Sequence, residues 1–137
     1  MSVKEFIIVA GGMAGLFTVV VYYLQTRIFH AQLAFLIMAR THERYAQLHE
    51  DLQNLPKSFD ALTPQHLRII STYINFCAES FYWRRKRIIQ KDVWVVWDVA
   101  IAYYLRDTVI GEAWEKVYRN DTYYSGFREY INCICAK

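Results

Sequence analysis

Behind Trp83 stand four consecutive cations, Arg84-Arg85-Lys86-Arg87. Such a run can hold an anionic partner: a lipid headgroup, RNA or a phosphorylated second messenger. An anionic membrane surface attracts each nearby cation by roughly 1 kcal/mol. Cations at a helix C-terminus also complement the macrodipole as a solvated helix end. Both readings stand for Trp83, Arg84, Arg85, Lys86 and Arg87. A second pair with chemical reach is Arg44 and His49, five apart in the stretch RYAQLH. Five residues on a regular helix turn ~500°, which leaves the two side chains apart in azimuth. Asp98 interrupts the apolar run VWVVWDVAIAYYL, and a buried carboxylate there needs a partner, expected to be an Arg.

The other catalytic templates are missing. Glycines lie in the first segment or singly elsewhere, so there is no phosphate-cradling loop. No HExxH occurs, and no Ser or Cys stands in a recognisable nucleophile context. The 3 cysteines, Cys77, Cys133 and Cys135, are odd in number and lack paired spacing. They read as reduced thiols of a cytoplasmic compartment, serving as small core hydrophobes. No Cys/His cluster has zinc-ligand spacing, so no metal is expected. Trp94, Trp97, Tyr103, Tyr104 and Trp114 read as core and not as a cofactor box, so no cofactor is expected. On these grounds no residue is assigned a catalytic role, and a non-enzymatic protein is expected.

The elements that must position these residues follow from composition and patterning. The chain has 137 residues, enough for one domain plus its first segment. Hydrophobic residues make up 55% and charged residues 21%, so the apolar excess is local and falls mostly in the first forty positions. A net charge of +3 is too small, taken globally, to indicate nucleic acid. With 5 glycines and 2 prolines the chain is poor in turn formers, which argues against a β-rich fold.

From Phe6 to Leu24 the sequence reads FIIVAGGMAGLFTVVVYYL without a charge. At about 1.5 Å per residue, this run is long enough for a ~30 Å hydrocarbon core, and a transmembrane helix is expected. Tyr22 and Tyr23 suit an interfacial aromatic belt. Only Lys4 precedes the run, whereas Arg27, Arg40 and Arg44 follow it, so the N-terminus is expected outside and the C-terminus in the cytoplasm. Gly11 and Gly15 form a GxxxG pair, and Gly12 widens the smooth face. Small residues let helix backbones approach closely, so Gly11, Gly12 and Gly15 are the candidate oligomerisation site.

No helix breaker occurs between Glu5 and Asn54, and Leu55-Pro56 ends the helix. Met38, Tyr45 and Leu52 repeat at seven residues, as do Thr41, Leu48 and Leu55, which gives an a/d-like stripe over two heptads. Thr63 as N-cap and Pro64 at the first helical position open a second helix. Its core face is expected to carry Leu67, Ile70, Tyr73, Ile74, Cys77 and Phe81. A third helix is expected from Asp92 as N-cap, a fourth over Gly111–Arg119 and a last one from Ser125. The fold class is all-α: an N-terminal transmembrane helix continuing into a small cytoplasmic helical bundle. The expected domains are an anchor over 1–27 and a helical domain over 28–137.

Three resemblances bear on function. The Arg44–His49 spacing resembles the signature of the HEPN ribonucleases, whose two side chains converge across a dimer to cleave RNA, although Tyr45 stands where those motifs carry a polar residue. The segments Tyr73-Ile74-Asn75-Phe76 and Phe127-Arg128-Glu129-Tyr130-Ile131, with Trp94, Trp97, Trp114 and Tyr124, resemble a group of small prokaryotic membrane-anchored helical proteins with a YxNF…FxEY domain. That group has no assigned activity, and the likeness implies an inner-membrane location. More loosely, the architecture resembles the membrane accessory proteins of RNA-targeting CRISPR systems, which assemble into pores. It implies an antiviral pore former with an RNA-guided partner. The leading expectation is a non-enzymatic membrane protein in contact with the lipid bilayer that self-associates into a homo-oligomer through its first helix. The alternatives are a HEPN-like ribonuclease using Arg44 and His49, and a passive adaptor that recruits an anionic ligand through the basic run.

Overall fold

The computed structural model describes residues 2–136, with side chains described for all of these except 6–10. It is all-helical, with no strand among the described residues. Helix α1 runs Val3–Gln53, α2 Pro64–Arg85, α3 Lys91–Asp107, α4 Val109–Ala113 and α5 Ser125–Cys135. The chain divides into two units, the first ending at Ile37 and the second running from Met38.

In the second unit, buried residues from Leu52 to Ile131 form one apolar core, with Ile70, Ile74, Ile110 and Trp114 almost wholly sealed. The heptad stripe of α1 is a packing seam. Thr41 and Leu52 are buried, while Met38, Tyr45, Leu48 and Leu55 pack partly buried against the core. A salt bridge of 2.5 Å from Arg44 to Glu79 ties this part of α1 to α2.

Helix α2 starts where local chemistry dictates. The Thr63 hydroxyl accepts from the His66 backbone N–H, and the His66 ring accepts from the Thr63 backbone N–H. This is a capping box with histidine in the usual place of Glu or Gln, and Pro64 supplies a preset φ. The buried face includes Ile70, Tyr73, Ile74 and Cys77 as expected, and also Phe76 and Ser80.

Several expectations are corrected. Helix α3 begins at Lys91 with Gln90 as its N-cap residue, so Asp92 lies in the first turn. The segment after α4 is no regular α-helix: Trp114–Tyr118 forms a π-helical turn in which the Arg119 N–H donates to the Trp114 carbonyl at 2.8 Å. Asp98 takes no Arg; the Tyr130 hydroxyl of α5 donates to its Oδ1. A phenol is enough here, because Asp98 is only half-buried and keeps some contact with water.

Expectation and structure part most at the first segment. Among the described residues, no helix is long and apolar enough to cross a membrane. A single-pass inner-membrane location with a cytoplasmic C-terminus is therefore not supported. The side chains of residues 6–10, which begin the apolar run, lie outside the described ones. From position 11 onward, Gly11, Gly12, Gly15, Thr18, the tyrosine pair, Gln25 and Arg27 dilute the valines and leucines below what a span of about 20 residues requires. The pore expectation rested on that span and goes no further.

Candidate functional site

Where α2 and α3 meet residues 41–45 of α1, side chains leave a cavity of about 280 Å³. Thr41, His42 and Tyr45 line it from α1, Tyr73, Phe76, Cys77 and Ser80 from α2, and Val96, Trp97, Ala100 and Ile101 from α3. The three- and four-residue spacing of α2 turns Tyr73, Phe76, Cys77 and Ser80 to one side. Phe76 is held by ring neighbours: Tyr45 at 6.1 Å, Tyr73 at 6.4 Å and the Arg44 guanidinium at 5.6 Å. Ser80 donates its hydroxyl to the Phe76 carbonyl at 2.8 Å, which leaves lone pairs free to accept. Among the described residues, no Asp, Glu, Lys or Arg lines the space. Burial pushes the Cys77 thiol up to about 12, against a hydrogen bond from Tyr73 that lowers it. Burial, followed by the neighbouring Cys77, raises the Tyr73 phenol as well. The Cys77 thiol and the Tyr73 phenol are therefore both neutral at physiological pH.

The basic run closes α2. Lys86 is the C-cap residue, and Arg87 follows in the left-handed region at φ 59°. The Arg87 N–H donates to the Arg84 carbonyl at 3.0 Å and the Ile88 N–H to the Trp83 carbonyl at 3.1 Å, a helix stop that usually carries glycine. The Lys86 ammonium lies 5.5 Å from the exposed Tyr82 ring. Among the described residues, Arg84, Arg85, Lys86 and Arg87 form no salt bridge. A cleft of about 530 Å³ adjoins them, bordered by Asn75, Tyr82, Trp83, Arg85 and Tyr123.

Arg44 and His49 have different engagements. Arg44 is bound to Glu79, whereas His49 shares a hydrogen bond of 2.9 Å with Gln53 and lies 5.5 Å from the Tyr45 ring. Gly11, Gly12 and Gly15 lie along α1, and a Cβ added at any of them meets nothing within 4 Å. Among the described residues, no three His, Cys, Asp or Glu side chains converge as metal ligands do.

The FxEY segment and Asn75 of the YxNF segment turn out to be scaffold, while Tyr73 and Phe76 of the latter also wall the cavity. The Tyr124 hydroxyl donates to Asn75 Oδ1 at 2.5 Å, joining the turn before α5 to α2. Tyr130 stacks on Phe81 at 4.6 Å while its hydroxyl holds Asp98. Phe127 lies edge-on to Trp114 at 5.7 Å. Trp94 and Trp114 are buried in the core, and Trp97 forms part of the cavity wall. Sequence reasoning missed the cavity, because a lining shared by three helices leaves no short motif. The available signal was the unbroken aromatic and small-residue face of α2, read only as core. No known protein family, curated protein or solved structure matches this chain.

Proposed function

We propose that this chain is a non-enzymatic assembly protein that associates with further copies of itself through the first part of α1. The helical unit from Met38 onward acts as its sensing element. One observation carries the reading. Between positions 11 and 36, Leu16, Phe17, Val20, Tyr23, Phe29 and Phe35 are exposed and apolar on all sides of the helix. A helix that is apolar all round is normally covered by something. The stretch from Gly11 to Thr26 carries no charge, so a charged partner finds nothing to pair with. A second copy offers the same neutral surface, and a two-fold pairing sets glycine against glycine where bulk is least.

The test is in-cell cross-linking of the full chain with Thr18→Cys, which lies on the same helix face as Gly11 and Gly15, after Cys133→Ser and Cys135→Ser remove the accessible native thiols. A covalent dimer is expected with Thr18→Cys. Adding Gly11→Leu and Gly15→Leu should abolish it while helicity is kept. Absence of cross-linking together with a monomeric sedimentation coefficient overturns the reading.

A second reading, an adaptor that recruits an anionic partner, is favoured by the four consecutive cations at the end of α2, which form no salt bridge among the described residues. Reversal of Arg85, Lys86 and Arg87 to Glu should abolish partner recruitment and spare self-association. Retained recruitment returns the run to a solvated helix end.

A further inference from the structure

We infer that the cavity walled by Tyr45, Phe76, Cys77, Ser80, Trp97 and Ala100 binds one small, uncharged, flat ligand of about two fused rings with a single hydrogen-bonding group. The inference concerns the sensing unit and does not depend on the self-association reading.

Native interiors keep few voids larger than a water molecule. A dry apolar cavity of about 150 Å³ accepts benzene. At about 280 Å³ this cavity has nearly twice that space, which suits two fused rings or a comparable ten-carbon skeleton. It falls just below the usual range of pockets for drug-sized ligands, so a molecule of about two rings fills it best. The wall is mostly aromatic and aliphatic, and rings pack favourably against rings at centroid separations of about 4.5–7 Å.

Charge selects further. A full charge placed here would give up part of its hydration, and among the described residues no Asp, Glu, Lys or Arg lines the space to pair with it. The Cys77 thiol stays protonated through physiological pH, as burial pushes it to about 12. Polar reach is confined to a few groups. The Ser80 hydroxyl already donates to the Phe76 carbonyl, which leaves it free to accept, and the Thr41 side chain faces the same space. One donor-bearing ring substituent, such as a hydroxyl, matches that supply.

The site is also preformed and accessible. Phe76 is pinned between Tyr45, Tyr73 and Arg44, so the wall keeps its shape before a ligand arrives. The Arg44–Glu79 ion pair joins the two helices beside it. His42 and Val96 line the space yet are exposed, which marks the entrance.

The experiment is calorimetric titration of the full chain with 2-naphthol, naphthalene and 2-naphthalenesulfonate. One molecule of 2-naphthol should bind per chain. Naphthalene should bind more weakly, and the sulfonate should show no saturable binding. Ala100→Leu places extra carbons in the space and should weaken 2-naphthol at least about tenfold, the difference carried by one blocked apolar contact of about 1.4 kcal/mol. Thr41→Val keeps the shape and removes the hydroxyl. It should cost 2-naphthol about three- to tenfold, the worth of one neutral hydrogen bond, and leave naphthalene unchanged. If Ala100→Leu does not fold, the contrast between the two probes in Thr41→Val decides. The inference is overturned if 2-naphthol shows no saturable binding. It is equally overturned if binding survives both substitutions undiminished, which would assign the probe to the exposed apolar surface of α1, or if the sulfonate binds as well as the naphthol.

Discussion

Cys77 is fully enclosed, and its chemistry is set by what surrounds it. In the unfolded chain its thiol titrates near the ordinary value of 9.0, whereas burial in the folded chain pushes it up to about 12. Below pH 9 both states hold the proton, so the contribution of the buried thiol to stability is complete. Between pH 9 and 12 the unfolded state alone loses its proton, and stability falls as pH rises. Burial raises the Tyr73 and Tyr130 phenols in the same direction, which adds to the loss at the alkaline end. The urea midpoint should therefore hold steady from pH 7 to 9 and drop beyond it. Cys77→Ala should make that drop shallower by up to about 1.4 kcal/mol per pH unit, the value of one proton. Equal slopes in the two proteins would show that the thiol does not titrate this way. The sequence placed Cys77 on the core face of α2 because helical spacing is local information. It named the wrong partner for Asp98, because Tyr130 lies 32 residues away and only the packing of α5 brings its hydroxyl near.

Elements were legible where a few neighbouring residues decide them. Leu55-Pro56 ends α1, and Thr63-Pro64 opens α2, since a fixed φ and a capping hydroxyl act within one turn. The junction of α3 and α4 was not legible, because its constraint comes from a close approach of backbones. A Cβ on Gly111 would stand 2.2 Å from the Leu105 carbonyl oxygen, a main-chain atom that cannot rotate away. Gly126 differs: a Cβ there meets only the end of the Arg85 side chain, at 3.4 Å. Gly111→Ala must part α3 from α4 and should destabilise the fold by about 3 kcal/mol, at the upper end of the usual cost of overpacking. Gly126→Ala should be neutral or stabilising by up to about 1 kcal/mol, since alanine is the better helix former. Chemical denaturation of both variants checks the pair, and a Gly111→Ala midpoint equal to wild type would contradict the close approach. The π turn after α4 escaped the sequence for a similar reason. Trp114 is seated between Tyr124 and Phe127, each 5.7 Å away, and those neighbours come from later in the chain.

Taken whole, the chain combines one unit with an apolar core and one helical stretch that exposes many of its apolar side chains between Met13 and Leu36. The sequence made the apolar run visible, because hydropathy is a sum over neighbours. What covers that run was not readable, since hydrocarbon, a second copy and another protein all favour the same residue types. The buried apolar core begins at Leu52 and ends at Ile131, so removing residues 1–37 takes away none of its members. The Arg44–Glu79 tie and the cavity lining from Thr41 onward also remain. The shortened chain should unfold cooperatively, with a Tm within about 5 °C of the full protein, the shift that about 1 kcal/mol gives in a domain of this size. It should sediment as a monomer and bind 2-naphthol as the full chain does. Loss of cooperative unfolding would mean that residues before Met38 contribute to the core. Persistence of the oligomer after the deletion would move the self-association surface to the helical unit. There the exposed valines of α3, Val95, Val96 and Val99, are the next apolar face available to a second copy.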